Sequence, residues 1–155
     1  LLNNEMGDFA ANPGLPNMFG LVQGERNSVA GGKRPLSSMS PTIVLRDGRP
    51  WLATGSPGGS RIITTVAQTL LNAMVFDMNI ATAGISARVH HQWLPDNLLV
   101  EQGISPDTIR LLREMGHEVE LSNRTIGRTQ SIMLQNGRLY GATDTRRPGG
   151  WVAGY

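Results

Sequence analysis

The sequence predicts an α+β layered fold, and three observations predict it. Two Asx-Gly turns, Asp47-Gly48 and Asn136-Gly137, each separate short β-prone runs, which places antiparallel hairpins in the first and last thirds of the chain. A long apolar-periodic stretch starts near Ser60, and a second helix signal starts at Ser105 with a cap residue followed by proline. Helices set between antiparallel hairpins, rather than alternating one for one with strands, argue against a doubly wound parallel sheet.

Taken in order, residues 1–34 are rich in Asn, Gly and Pro and hold no sustained period, so they read as extended and loop structure over the surface. Residues 35–155 then form the sheet and helix core of a single domain. Pro41–Leu45 and Pro50–Thr54 are the arms of the first hairpin. With Asp47 and Gly48 as its loop, Leu45 faces Pro50, Ile43 faces Leu52, and by extrapolation Ser37 falls opposite Gly58. The helix from Ser60 to about Phe76 carries Ile62, Ile63, Val66, Leu70 and Met74 on one stripe. A short helical stretch near 80–87 leads to strands at Arg88–Trp93 and Leu98–Glu101. Ser105-Pro106-Asp107 opens a helix that turns Ile109, Leu111, Leu112 and Met115 inward and stops at Gly116. Residues 117–121 and 130–134 read as strands, the latter turning through Asn136-Gly137 into a strand at 138–142.

Composition bounds the function. At 155 residues one domain can bury a core, and no run of about twenty apolar residues suggests a membrane span. The formal charge is +2, and thirteen of the fourteen basic residues are Arg, spread from Arg26 to Arg147 among acids, so no basic stripe points to nucleic acid. The absence of cysteine excludes disulfides and thiol catalysis and leaves the compartment open. His90 and His91, as strand neighbours, point to opposite faces and cannot readily share a metal ion. His117 reads as a strand-edge residue, the methionines as core filler, and Trp151 as either a pocket cover or a surface residue. The first residue is Leu1 and no signal segment follows it, so the chain reads as a piece of something longer, cut or processed upstream.

The segment Gly55-Ser-Pro-Gly-Gly-Ser-Arg61 precedes the long helix directly. Its glycines let a ligand approach bare backbone N–H groups, and the helix start adds the positive end of a dipole, so an anion or a developing oxyanion suits the site. An ordinary turn with Ser60 as N-cap is the competing reading. The segment lacks the Lys-Ser/Thr end of a nucleotide-binding phosphate loop. If the hairpin register carries on, the hydroxyls of Ser37 and Ser38 converge with the N–H groups of Gly58 and Gly59 at one end of the hairpin.

With those parts placed, the chain resembles the small-subunit portion of γ-glutamyltranspeptidases. The resemblance rests on Leu2-Asn-Asn-Glu-Met-Gly-Asp-Phe9, Lys33-Arg-Pro-Leu-Ser-Ser-Met-Ser-Pro-Thr42, Thr54-Gly-Ser-Pro-Gly-Gly-Ser-Arg-Ile62, His91-Gln-Trp-Leu-Pro95, Thr129-Gln-Ser131 and Ala153-Gly-Tyr155. It implies the N-terminal-nucleophile hydrolase fold, a four-layer αββα sandwich with two stacked antiparallel sheets flanked by helices, of which this chain is a part. It also implies roles. Glu5 and Asp8 would accept the α-ammonium of a γ-glutamyl substrate, Ser37 and Ser38 would donate to its α-carboxylate, and Gly58 and Gly59 would supply the oxyanion hole. Phe19, in Pro13–Gly20, would lie on a lid loop where several bacterial relatives carry tyrosine.

The family's nucleophile is a threonine freed by self-cleavage, and it is not among these residues, since every threonine here is internal; the chain alone is therefore expected to be inactive. The implied partners are a large subunit cut from the same precursor, glutathione or another γ-glutamyl compound, and an amino acid, dipeptide or water as acceptor. Neither a cofactor nor a metal is implied, and a periplasmic or secreted location is. Two other readings stay open: a glutaryl or cephalosporin-type acylase of the same superfamily, and a non-catalytic truncated subunit.

Overall fold

The computed structural model describes residues 4–154. Strands β1 (Thr42–Arg46) and β2 (Arg49–Gly55) form the first hairpin, and Asp47 and Gly48 both take positive φ, +52° and +74°, as a two-residue turn requires. The expected pairs next to the turn are present, with Leu45 opposite Pro50, but Ile43 faces Ala53 rather than Leu52. An irregularity between Val44 and Leu45 slips the ladder by one residue. Pro50 has no N–H to give the ladder, and the extra residue on β2 is Trp51, whose ring lies 3.9 Å from the Arg46 guanidinium. Pairing ends at Thr42 and Thr54, so no ladder carries Ser37 to Gly58.

Helix α1 (Arg61–Met74) follows the glycine loop. Ser60 has helical backbone angles and makes no side-chain cap hydrogen bond, so the cap role of the competing reading is not the one it plays. The buried stripe is Ile62, Thr65, Val66, Thr69 and Ala73, while Ile63 and Met74 are exposed. Two threonines replace the expected apolar contacts because each hydroxyl finds a carbonyl: Thr69 donates to Thr65 O at 2.9 Å and Thr65 to Ile126 O at 3.4 Å. A short helix α2 (Ile80–Ile85) starts at Asn79, whose side chain accepts from Thr82 N.

Strands β3 (Val89–His90), β4 (Leu98–Glu101) and β5 (Val119–Ser122) make a three-stranded sheet. β3 and β4 are antiparallel, but β4 and β5 are parallel, joined by helix α3 (Pro106–Glu114) as the crossover. The expected all-antiparallel pairing thus holds for the larger sheet alone. Ser105 caps α3 and Gly116 ends it at φ +95° as expected, yet Leu111 and Met115 are exposed and no residue of the helix is fully buried. Strands β6 (Gln130–Gln135) and β7 (Arg138–Thr143) turn through Asn136-Gly137, again at positive φ.

The larger sheet runs β1-β2-β6-β7. Alternation gives it two faces. Leu52, Met133 and Ala142 pack with Ala73, Ile80 and Ala83 of the helices into the core. On the other face, Ile43, Ala53, Ile132 and Gly141 are aligned in register across all four strands, and Ile43, Leu45, Ile132, Leu134 and Leu139 are all exposed. α1 also reaches the smaller sheet, where Gln68 bonds both backbone groups of Val89, donating to its carbonyl at 2.8 Å and accepting from its N–H at 2.9 Å.

Candidate active site

The glycine loop leaves β2 and enters α1. Gly58 has φ +144° and Gly59 φ +58°, conformations that L side chains rarely adopt. Their carbonyls accept from Arg61 N and Ile62 N, both at 3.1 Å, while neither of their own N–H groups meets an acceptor among the described residues. The loop is backed by Gly127, whose Cα would lie 3.6 Å from a Cβ on Gly58, and by Ser56, whose hydroxyl oxygen accepts from Arg128 N at 2.8 Å. The result is a pair of free donors beside a helix start, the arrangement that stabilises a developing oxyanion.

Phe19 lies on this loop. A Cβ on Gly59 would come within 2.7 Å of two Phe19 ring carbons, so the absence of a side chain at Gly59 is what lets the ring sit there. The segment carrying Phe19 is a tight turn in which the Asn17 carboxamide oxygen accepts from Phe19 N (2.9 Å) and Leu21 N (3.1 Å). Its carbonyl, not a ring hydroxyl, makes the tie to the body of the chain, accepting from Gln92 Nε2 at 2.8 Å.

Glu5 and Asp8 lie on a 3₁₀ turn, Glu5–Asp8, with Glu5 exposed and Asp8 half-buried. Ser37 is exposed and Ser38 half-buried; the Ser37 hydroxyl oxygen accepts from Met39 N at 3.2 Å and Ser40 Oγ donates to Ser38 O at 3.1 Å. One residue that sequence reasoning missed joins the two segments. The Asn27 Nδ2 donates to Asp8 O at 2.7 Å, its Oδ1 accepts from Leu36 N at 3.0 Å, and its carbonyl accepts from Ala10 N at 2.9 Å. The acidic segment and the serine pair are therefore held to a single side chain. Serines and glycines leave the same end of the β1–β2 hairpin, and no hydrogen bond joins Ser37 or Ser38 to Gly58 or Gly59 among the described residues.

Behind the loop lies a buried ionic cluster that sequence reasoning also missed. Arg88, 1% exposed, donates to Asp144 Oδ2 at 3.0 Å and to Ile126 O at 2.9 Å. The Arg146 guanidinium holds Asp144 through two bonds, at 2.9 and 2.7 Å, and Glu101 at 2.6 Å. Glu101 in turn accepts from Arg88 N at 2.9 Å and from Ile126 N. Burial alone would raise the Asp144 carboxyl, but its hydrogen bonds from Arg146 and Arg88 and their charges hold it below the ordinary range. The same bond to Asp144 raises Arg146 against the opposing effect of burial. The cluster fixes both backbone groups of Ile126, next to the Gly127 that backs the glycine loop.

His90 and His91 are on opposite sides as expected: His90 is buried against Thr64 and Gln92, while His91 is exposed beside Asp96 at 3.0 Å. Burial lowers the His90 pKa, with Arg61 and His91 adding to the shift and the Gln92 bond opposing it. No group of three His, Cys, Asp or Glu able to hold a metal occurs among the described residues. The large groove of the molecule, about 1320 Å³, lies elsewhere, on the open sheet face beneath Trp151–Gly154.

Two antiparallel hairpins in one sheet, helices on one face, and a glycine loop feeding α1 make an α+β chain, and its structural neighbours give it the N-terminal-nucleophile hydrolase fold. The solved structures it superposes on specify that class further: a γ-glutamyltranspeptidase T380A mutant of Helicobacter pylori (TM-score 0.88, 46% identity, 95% of this chain and 81% of that one) and the γ-glutamyltranspeptidase of Pseudomonas nitroreducens complexed with L-DON (TM-score 0.88, 39% identity, 100% and 82%). The gamma-glutamyltranspeptidase family model matches residues 1–154, and the chain belongs to that family. It is 57% identical over 156 residues to the glutathione hydrolase proenzyme of Escherichia coli K12, covering 100% of this chain and 27% of the relative. The chain thus spans about a quarter of the length of the curated relatives it matches.

Proposed function

We propose that this chain is the substrate-recognition and oxyanion-binding part of an enzyme that transfers or hydrolyses γ-glutamyl groups, with glutathione and other γ-glutamyl amides as donors. The observation that carries the proposal is the pair of unengaged N–H groups at Gly58 and Gly59, at the end of the hairpin from which Ser37 and Ser38 also leave. Glu5 and Asp8 accept the donor's α-ammonium, and the Ser37 and Ser38 hydroxyls donate to its α-carboxylate. That grip leaves the γ-carbonyl free to extend toward the glycine loop. Attack on the γ-carbonyl pushes its electron pair onto oxygen, where the two N–H groups stabilise it; losing one such donor costs about 3–4 kcal/mol of transition-state energy.

The attacking hydroxyl belongs to a threonine outside these 155 residues. Its proton passes to the departing amine as the tetrahedral intermediate collapses to a γ-glutamyl ester, and water or an amino acid or peptide amine then releases the acyl group. By itself the chain is inactive. Its partner is the remainder of the proenzyme, for which the exposed row of Ile43, Ala53, Ile132 and Gly141 offers an apolar seat.

The test uses the full-length processed protein with γ-glutamyl-p-nitroanilide, with and without glycylglycine. Anilide release stimulated by glycylglycine is expected, and no release from matured protein would overturn the proposal. Asp8→Ala is expected to raise KM for the γ-glutamyl anilide at least about tenfold more than for a glutaryl anilide, which has no ammonium to lose. Equal effects on both would remove Asp8 from ammonium recognition.

A further inference from the structure

Gln92 lies between β3 and the Leu94–Pro95 turn, and its carboxamide is fully engaged. Nε2 donates to Phe19 O at 2.8 Å and to Leu94 O at 3.1 Å. Oε1 accepts from Ser60 Oγ at 2.8 Å and faces His90 Nε2 at 2.9 Å. Both Nε2 partners are carbonyl oxygens, which only accept, so the amide has a single workable orientation. That orientation places the imidazole proton on His90 Nε2 and leaves Nδ1 to accept from the Thr64 hydroxyl at 2.8 Å. A continuous chain of hydrogen bonds therefore runs from the start of α1, through His90 and Gln92, to the carbonyl of Phe19.

The hydrogen bonds inside residues 13–22 are local. Asn17 bonds Phe19, Gly20 and Leu21, Gly14 N donates to Gln23 O, and Pro16 bridges Val22. Among the described residues, the bond from Gln92 to Phe19 O is the one hydrogen bond between residues 13–22 and the chain beyond residue 27. The approach is close: a Cβ on Gly20 would lie 3.3 Å from both Gln92 Nε2 and Pro95 Cδ. Beside it opens a cleft of about 190 Å³ whose lining includes Phe19, Arg61, Asn97 and Glu120.

We propose that Gln92 is a positioning residue: its carboxamide latches residues 13–22 to the start of α1 and so keeps the Phe19 ring over Gly59. The inference rests on the reading of Gly58 and Gly59 as oxyanion donors for what the latch does, but not for whether it exists. With the latch made, the ring covers the oxyanion loop and limits the entry of water to the acyl-enzyme. With it broken, water enters and hydrolysis gains on transfer.

Two variants of near-equal side-chain length test this in the processed full-length enzyme. Gln92→Met removes all four hydrogen bonds, and Gln92→Glu sets a carboxylate oxygen against the carbonyls of Phe19 and Leu94. Amide hydrogen exchange of the peptide spanning 13–22 is expected to speed up about fivefold or more in both, as for loss of one tethering hydrogen bond, with α1 unchanged. The ratio of transfer to hydrolysis with glycylglycine is expected to fall at least about threefold, with the donor KM moving less. If Gln92→Glu fails to fold, Gln92→Met carries the comparison. Unchanged exchange in 13–22, or faster exchange with an unmoved ratio, overturns the proposal. A wild-type enzyme with no γ-glutamyl activity would defeat the functional reading separately, and the exchange comparison would still decide the latch.

Discussion

At Gly59 the backbone conformation and the neighbouring ring make the same demand. Its φ of +58° costs an L-residue about 1–2 kcal/mol, and any Cβ collides with Phe19. Gly59→Ala is expected to lower kcat/KM for a γ-glutamyl anilide at least about tenfold, by tilting the donor and displacing the ring. Adding Phe19→Ala should recover only part of that loss, because it relieves the collision and not the backbone strain; full recovery would show that the ring alone mattered. Asn27 works differently, by holding Asp8 and Leu36 together through its side chain. Asn27→Leu keeps the branched outline and removes the side-chain bonds to Asp8, Leu36 and Gln23, so KM is expected to rise about tenfold with kcat changed less than about threefold, since Gly58 and Gly59 are untouched. A fall in kcat with constant KM would contradict its role as a clamp. That Gly58 and Gly59 break the chain before a helix was legible in the sequence, because positive-φ backbone favours glycine, while an ordinary turn remained the competing reading of their role. Asn27 was not, because its meaning lies in partners 19 and 9 residues away that only the folded loop brings to it.

Between elements, the ionic cluster joins β4 and the end of β7 to the loop around Ile126. Asp144, 1% exposed, receives bonds from both arginines, so Asp144→Asn leaves Arg88 buried without its bonded counter-charge and is expected to destabilise the processed enzyme by about 3–5 kcal/mol. A thermal or denaturant midpoint within error of wild type would show that the pair is dispensable. The pH dependence has a definite sign. Asp144 has a depressed folded pKa, so the unfolded chain takes up its proton first as pH falls; the stabilisation is complete above the unfolded value of about 3.9 and is lost as pH drops through the folded value. Acid unfolding in that window should flatten in Asp144→Asn. The hairpin turns and the capped α3 were readable because turn and cap chemistry is local, and the start of α1 because the glycines end the strand before an apolar period begins. The bulge at Val44/Leu45, the threonine stripe of α1 and the parallel β4–β5 pair were not, because each depends on what packs opposite.

For the molecule as a whole, the four-stranded sheet keeps one apolar face largely exposed, with Trp151–Gly154 over only part of it. Ile132 is 52% exposed in the middle of that face, so Ile132→Lys should cost this chain little and still block its assembly with the rest of the proenzyme, seen as loss of co-purification and of the heterodimer peak in size exclusion. A normal heterodimer would place the seam elsewhere. Taken alone, the sequence determined the α+β class, both hairpin turns, the placing of glycines before α1 and the family, because turn residues, apolar period and motif strings are written in contiguous residues. Only the tertiary structure decided that Phe19 sits on Gly59, that Asn27 gathers the acidic and serine segments, that Gln92 reaches a carbonyl 73 positions earlier, and that Arg88 pairs with Asp144. Those contacts join residues far apart along the chain, and a half-buried amide or a buried guanidinium bonds whichever partner packing delivers, so no local pattern could have named them in advance.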